Sequence, residues 1–353
     1  MKIVAIIDPQ FGTTPDIESA VAGGQAEFRI LRPGHGPVSP LELRGVDAIL
    51  NCRSRHKLPG SLIDALDDRV QIIAQAGVGY NHIDIAACAR RNIPVCNTPD
   101  YGTTEVADHA IGLMLALVRG IPTYNGRLAS DAAAWATAGL PLPPIRRLGG
   151  QVFGVIGLGR IGLATALRAK AFGLDVRFFD PYLPPGAELA LGFKRYAELG
   201  DLLAVTDILT LHCPLTEETD RLIRAETLAQ MKPNGILINT SRGGVVDLDA
   251  VADALTSGHL CAAGLDVLPV EPPDRNHPLL AAWMAGDRAL EGRLVITPHA
   301  AFYTPQSLDD MRRLSMTAVW QYLTEGRLRS CVNLDLLAAN AAATGADRRL
   351  HAG

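Results

Sequence analysis

Arg242, Glu271 and His299 each follow a short apolar run, at 236–241, 262–267 and 294–298. If those runs are parallel strands of one sheet, their carboxyl ends share the edge where open α/β sheets bind ligands. The three side chains would then converge. An arginine fork holds a carboxylate bidentately and polarises a neighbouring carbonyl. Histidine starts nearest to neutral pH among the side chains, so it both gives and takes a proton there. A carboxylate beside the imidazole orients it and favours its protonated form. Such a set suits the interconversion of a 2-keto acid and its 2-hydroxy acid, with a cofactor supplying the hydride.

A place for that cofactor is legible upstream. Gly157-Leu158-Gly159-Arg160-Ile161-Gly162 follows the apolar run 152–156 and opens a helical pattern. Gly157 suits a tight turn, Gly159 lets backbone approach a pyrophosphate, and Gly162 permits close helix–strand packing. Arg160 and Ile161 sit in the first helical turn, whose N–H groups meet phosphate. The next run, 176–179, ends in Asp180, which would accept from ribose hydroxyls and repel a 2′-phosphate. NAD is therefore expected over NADP. His212 ends the run 208–211, where it either lies near a cofactor ribose or simply packs. His109 reads as an interior or interface histidine.

What must position these residues is an alternation of β-branched runs with helical patterns along nearly the whole chain. That argues an α/β protein with parallel sheets. The first series of runs lies at 3–7, 46–50, 70–74 and 93–96, and the second at 152–156, 176–179, 208–211, 236–239, 262–265 and 294–297. Between them Val106, Ala110, Leu113, Met114 and Leu117 keep helical spacing over 104–119. The expected architecture is two Rossmann-like, doubly wound parallel-sheet domains, the substrate domain discontinuous. Residues 1–103 and 300–333 would form the substrate-binding domain and 104–299 the NAD-binding domain. The Pro- and Gly-rich stretch 138–150 reads as a loop, and the Ala-rich 334–353 as a mobile tail or a frayed helix.

A formal net charge of −4 without a Lys/Arg run speaks against nucleic acid and membrane surfaces as partners. The apolar stretch 110–118 is about half a bilayer span, and the amino terminus reads as a strand rather than a signal peptide. A cytoplasmic protein is expected. The cysteines at 52, 88, 96, 213, 261 and 331 form no CxxC and no Cys/His cluster. They read as small buried hydrophobes in a reducing compartment, with no metal site.

Asn239-Thr240-Ser241-Arg242-Gly243-Gly244-Val245-Val246-Asp247, Gly264-Leu265-Asp266-Val267 with Glu271-Pro272, and Thr297-Pro298-His299 resemble the signatures of the D-isomer-specific 2-hydroxyacid dehydrogenases. The resemblance extends over about 74–333 and takes in 76–84 and 211–216. It implies that Arg242 binds the substrate carboxylate and carbonyl, that His299 is the acid/base, and that Glu271 is its partner. Backbone amides of Val78 and Gly79 would grip the carboxylate. Asp266 would meet the nicotinamide carboxamide, Thr240 would also contact the cofactor, and Cys213 and Pro214 would line its adenine end. D stereochemistry comes from the resemblance alone. So does pairing through the nucleotide domain, and the apolar helix 104–119 adds to the expectation of a homodimer.

Within that family the chain is most similar to the C-terminal-binding-protein branch, through 166–173, 179–182 and the aromatic pair after Ala301. That branch carries Trp at the position of Phe302 and Arg at that of Gln75. Because it includes transcriptional corepressors, an NAD(H)-binding regulatory protein is an alternative to the enzyme. Formate or phosphite oxidation shares the architecture, although formate dehydrogenases carry Gln at the position of Glu271. With no added carboxyl-terminal regulatory domain, the long form of phosphoglycerate dehydrogenase is not expected. Phe302 would give the substrate pocket an apolar wall, and Gln75 is neutral. An unpartnered buried charge costs several kcal/mol. Medium, neutral, apolar 2-keto acids are therefore expected to outrank glyoxylate, oxaloacetate and phosphohydroxypyruvate.

Overall fold

The computed structural model describes residues 1–10, 12, 14–34, 36–131, 133, 135, 142 and 144–344. Part of the loop expected at 138–150, and 345–353 of the expected tail, lie outside the described residues. Two compact units emerge, one of Thr103–Phe302 and one of Met1–Gly102 with the chain from Tyr303 onward.

The first unit holds a sheet of seven strands: β6 (Val152–Ile156), β7 (Asp175–Phe179), β8 (Lys194–Tyr196), β9 (Ile208–Leu211), β10 (Gly235–Asn239), β11 (Leu260–Leu265) and β12 (Leu294–Ile296). Their order is β12-β11-β10-β9-β6-β7-β8, and every pairing is parallel. The chain reverses its direction of winding between β6 and β9, the kind of switch point at which open sheets take ligands. Strands β6, β9, β10 and β11 are buried along their whole length. That is the signature of a parallel sheet covered on both faces, and it explains their unbroken apolar runs. Helix Thr103–Arg119 buries Ala110, Leu113, Met114 and Leu117 in this core. A Cβ on Gly264 of β11 would lie 3.1 Å from Leu113 Cβ, so glycine permits that close approach.

Register sets the chemistry. Ile156 pairs with Leu211, Leu211 with Asn239, Asn239 with Leu265, and Leu265 with Ile296. One straight row of last residues therefore crosses five strands, about 4.8 Å apart from each to the next. The loops beginning at Gly157, His212, Thr240, Asp266 and Thr297 all leave from it.

The second unit holds β1 (Lys2–Ile7), β2 (Ala26–Leu31), β3 (Ala48–Asn51), β4 (Ile72–Gln75) and β5 (Val95–Cys96), in the order β2-β1-β3-β4-β5. All are parallel, with the switch between β1 and β3. Strands β2 and β8 are absent from the sequence expectation. Both are sheet edges with mostly half-exposed residues, so neither carries an apolar run.

Over its described part the expected tail takes the helical alternative, and it is anchored rather than frayed. Leu334–Thr344 is a helix that buries Leu337 to 3% exposure. Asn340 Nδ2 donates to Ala89 O at 3.1 Å and to Asn92 Oδ1 at 2.9 Å. Ahead of it, Asn333 accepts from Val95 N at 2.8 Å and donates to Ile93 O at 3.1 Å. Alanine-rich composition concealed these anchors. Among the described residues no single helix is long and apolar enough to cross a membrane.

Candidate active site

The turn after β12 puts His299 at φ +52°, a left-handed conformation that a non-glycine residue adopts only when its surroundings hold it there. Its N–H donates to Asp266 O at 2.8 Å and to Thr297 O at 3.0 Å. The Asp266 carboxylate lies beneath, 1% exposed, and accepts from Thr297 Oγ1 at 2.6 Å, Ala300 N at 2.9 Å and Ala301 N at 3.0 Å. His109 Nε2 is 2.9 Å from Thr297 Oγ1. A buried carboxylate is tolerated only when so satisfied. Asp266, expected at the nicotinamide, thus also fixes the turn that presents the acid/base. His109 and Thr297 are members of this network that local sequence patterns do not announce.

The turn brings His299 Nδ1 to 2.7 Å from Glu271 Oε2, and Glu271 Oε1 accepts from Leu268 N at 2.9 Å. Burial works against the Glu271 charge. The hydrogen bond and charge of His299, the Leu268 N–H and the Arg242 charge outweigh it and hold the carboxyl below its usual range. Phe302 stands edge-on to the imidazole, with ring centroids 6.4 Å apart.

Arg242 leaves β10 through a turn shaped by the buried Asn239. That side chain donates to Arg242 O at 3.0 Å and accepts from Ser241 N at 2.9 Å and Ser241 Oγ at 2.8 Å. Arg242 Nη1 donates to Ser241 O at 2.6 Å. A Cβ on Gly243 would lie 1.9 Å from the Leu268 carbonyl carbon, so the loops carrying Arg242 and Glu271 are in direct backbone contact. The structure thus brings Arg242, Glu271, His299, Asp266, Thr240 and Phe302 to one end of one sheet.

The glycine turn after β6 is closed on one side and open on the other. Gly157 has φ +85°, and a Cβ there would lie 2.8 Å from Cys213 N, while one on Gly162 would lie 2.0 Å from Gly157 O. Nothing stands within 4 Å of a Cβ on Gly159, at the start of the helix Arg160–Ala171. That open amino terminus, with Arg160 exposed and Ile161 half-buried, fits a pyrophosphate. Asp180 accepts from Leu158 N at 2.8 Å and from Tyr182 N and Leu183 N at 3.0 Å, which ties the turn to β7. Thr240 Oγ1 is buried and has no hydrogen-bond partner among the described residues, as expected of a group that meets a ligand. Together these residues fit a dinucleotide.

His212 follows β9 at the same sheet edge as the glycine turn. Burial pushes its imidazole down to about 3, its Nε2 lies 3.0 Å from Thr210 Oγ1, and it stays neutral. Burial likewise pushes the Cys213 thiol up to about 11, so it is no nucleophile. Pro214 O accepts from Thr219 Oγ1 at 2.6 Å, which fixes the loop after β9.

Val78 and Gly79 belong to the other unit. Val78 is exposed, and its carbonyl accepts from Asn97 Nδ2 at 2.7 Å. Thr98 holds the preceding residues, N–H to Gly77 O at 2.9 Å and hydroxyl to Gln75 O at 2.8 Å.

Residues 111–301, more than half of the chain, match the model of the D-isomer specific 2-hydroxyacid dehydrogenase, NAD binding domain. The chain belongs to that family. It is 39% identical over 293 residues to the D-3-phosphoglycerate dehydrogenases of Mycobacterium bovis and Mycobacterium tuberculosis, a match over 82% of this chain and 52% of theirs. The chain thus spans about half the length of the curated relatives it matches. Among solved structures it resembles a glyoxylate reductase from Paecilomyes thermophila, with TM-score 0.80, 27% identity and coverage of 94% and 98% of the two chains. It also resembles an NADPH-dependent glyoxylate/hydroxypyruvate reductase from Sinorhizobium meliloti in complex with NADP and malonate. There the TM-score is 0.78 and the identity 30%, over 94% of this chain and 97% of that one.

Proposed function

We propose that the protein reduces a small 2-keto acid to its D-2-hydroxy acid, and catalyses the reverse, with NAD as cofactor. The observation that carries this reading is the 2.7 Å His299–Glu271 pair on a strained, buried-carboxylate turn beside the Arg242 loop. Glu271 holds Nδ1, which leaves Nε2 of His299 to give its proton to the carbonyl oxygen in reduction and to take it back in oxidation. Arg242 binds the carboxylate and polarises the ketone. Val78 and Gly79 are proposed as carboxylate contacts on the resemblance alone. When bound, the nicotinamide supplies or accepts the hydride.

NAD preference rests on Asp180, whose carboxylate would face a 2′-phosphate as a like charge. The NADP-bound relative makes this a direct question. Wild-type kcat/KM should favour NADH at least tenfold over NADPH, and equal values would overturn the preference. A neutral, apolar substrate is supported by Gln75, which is buried, uncharged, and bonded to His82 Nε2 at 2.7 Å and Asn51 Nδ2 at 3.2 Å. A kcat/KM series over apolar keto acids, glyoxylate, oxaloacetate and phosphohydroxypyruvate tests it. A phosphorylated or dicarboxylic acid in first place would sink the neutral-pocket reading.

A cytoplasmic homodimer is part of the same proposal. Helix Thr103–Arg119 no longer supports it, because its apolar face is used inside its own unit. Support comes from the family likeness and from exposed Ile121, Trp283 and Met284. Sedimentation showing only monomer at micromolar concentration would end the dimer.

A further inference from the structure

Two of the cysteines face one another. Cys96 at the end of β5 and Cys331, far away in sequence, form an antiparallel bridge, flanked by Val332 N to Val95 O at 2.8 Å and Asn97 N to Ser330 O at 3.2 Å. Those flanking bonds make 96/331 a non-hydrogen-bonded pair, for which Cα atoms lie about 4.5 Å apart. That is inside the roughly 4.4–6.8 Å range that a disulfide spans without backbone movement. The Cys331 thiol donates to Asn333 Oδ1 at 3.3 Å. Cys96 is fully buried, whereas Cys331 is half-buried and follows the exposed Arg329 and Ser330.

We propose that Cys96 and Cys331 are a thiol-oxidation site that forms a reversible disulfide, with a small dialkyl disulfide such as oxidised glutathione as oxidant. Cys331 is the more exposed of the two, and the neighbouring Cys96 lowers its thiol against burial, so Cys331 is the attacking thiolate. Its sulfur bonds to one sulfur of the oxidant, breaks the oxidant's S–S bond, and releases one glutathione thiolate, which takes up a proton. Cys96 then gives up its proton and attacks Cys331 Sγ. This breaks the mixed disulfide and releases the second glutathione as a thiol. Two protein thiols are oxidised and one small disulfide is reduced to two thiols. Arg329 offers a cation to the carboxylates of the oxidant. The cross-link would staple the segment leading into helix Leu334–Thr344 onto β5, directly beside Asn97 and Thr98, which hold the Gly77–Val78 backbone.

The test uses the full chain, equilibrated with excess oxidised glutathione, acid-quenched, and counted for thiols after denaturation. Free thiols should fall from six to four, a peptide linking Cys96 to Cys331 should appear, and dithiothreitol should reverse both. Neither Cys331→Ser nor Cys96→Ala should give the linked peptide. Should Cys96→Ala fail to fold, the half-buried Cys331→Ser variant carries the comparison. Six thiols remaining, a glutathione adduct persisting on Cys331, or a linkage between other cysteines would each overturn the proposal. No outcome depends on which keto acid, if any, is turned over.

Discussion

At the carboxyl edge of the seven-stranded sheet, the loops after β10, β11 and β12 present Arg242, Glu271 and His299. At the corresponding edge of the five-stranded sheet, the loops after β1 and β3 present Asp8, Arg55 and His56, and β4 itself ends in Gln75. The second set also contains a carboxylate, a guanidinium and an imidazole, but here the imidazole and the carboxylate are closed off from solvent by their pairing, and only the Arg55 side chain, 49% exposed, reaches it. Asp8 Oδ2 lies 2.5 Å from Arg55 Nη2 and 3.0 Å from His56 Nε2, with the imidazole only 2% exposed. His299 and Glu271 also pair, but their side chains remain 35% and 36% exposed. One ring nitrogen of His299 is thus left for a substrate. Similar residue types on similar scaffolds therefore divide by what is left over after pairing. The closed set stabilises its unit, and the half-open set can do proton chemistry.

The comparison is tested most severely by His299→Ala. Loss of the proton donor should lower kcat for keto-acid reduction by about 10²–10⁴-fold, while NADH binding by fluorescence titration stays near wild type. Near-normal turnover would place the acid elsewhere. Next in size is Gly243→Ala, which pushes the Arg242 loop against Leu268 and so displaces Glu271 as well. A shift of about 1 Å there should cost roughly 100-fold in kcat, with a destabilisation of about 1–3 kcal/mol from overpacking. An unchanged kcat would show that the two loops are not mechanically coupled.

His56→Ala is the counterpart in the closed set. Leaving Asp8 buried with one partner fewer should cost about 1–3 kcal/mol of unfolding free energy, read from urea midpoints. The kcat of the folded enzyme should stay within about twofold of wild type. A large fall in kcat at unchanged stability would erase the distinction drawn between the two edges.

The open set was legible in sequence because each of its members lies on the loop after a parallel strand whose apolar run marks where that loop begins. The glycine turn was legible because its spacing answers a steric demand, visible here as the 2.0 Å approach a Cβ on Gly162 would make. Contacts between distant segments left no local mark. The Asp8–His56 closure, the Cys96–Cys331 bridge, the His109–Thr297–Asp266 network and the Asn333 and Asn340 anchors of the last helix all depend on tertiary placement. Edge strands β2 and β8 escaped because strands with mostly half-exposed residues need no apolar run.

The smallest effect expected is on pH dependence, through Glu271→Gln. The variant keeps the shape and the hydrogen-bond capacity at Oε1 but removes the charge 2.7 Å from His299 Nδ1. Reduction requires a protonated imidazole, and the carboxylate favours that form. Its loss should move the alkaline limb of the reduction profile to lower pH. Stability should respond with a sign of its own. The Glu271 carboxyl is held below its usual range in the folded protein. Its contribution is therefore fully present above the unfolded carboxylate value, near 4.5, and fades as pH falls through the folded value. Wild type and variant should thus differ in urea midpoint near neutrality and converge in acid, below the carboxylate range. The pair is more than one-third exposed on the Glu271 side, so solvent screening keeps the difference small. A reduction profile that stays in place in the Gln variant would mean that the charge of Glu271 does not govern the proton on His299. The two edges would then differ in exposure alone.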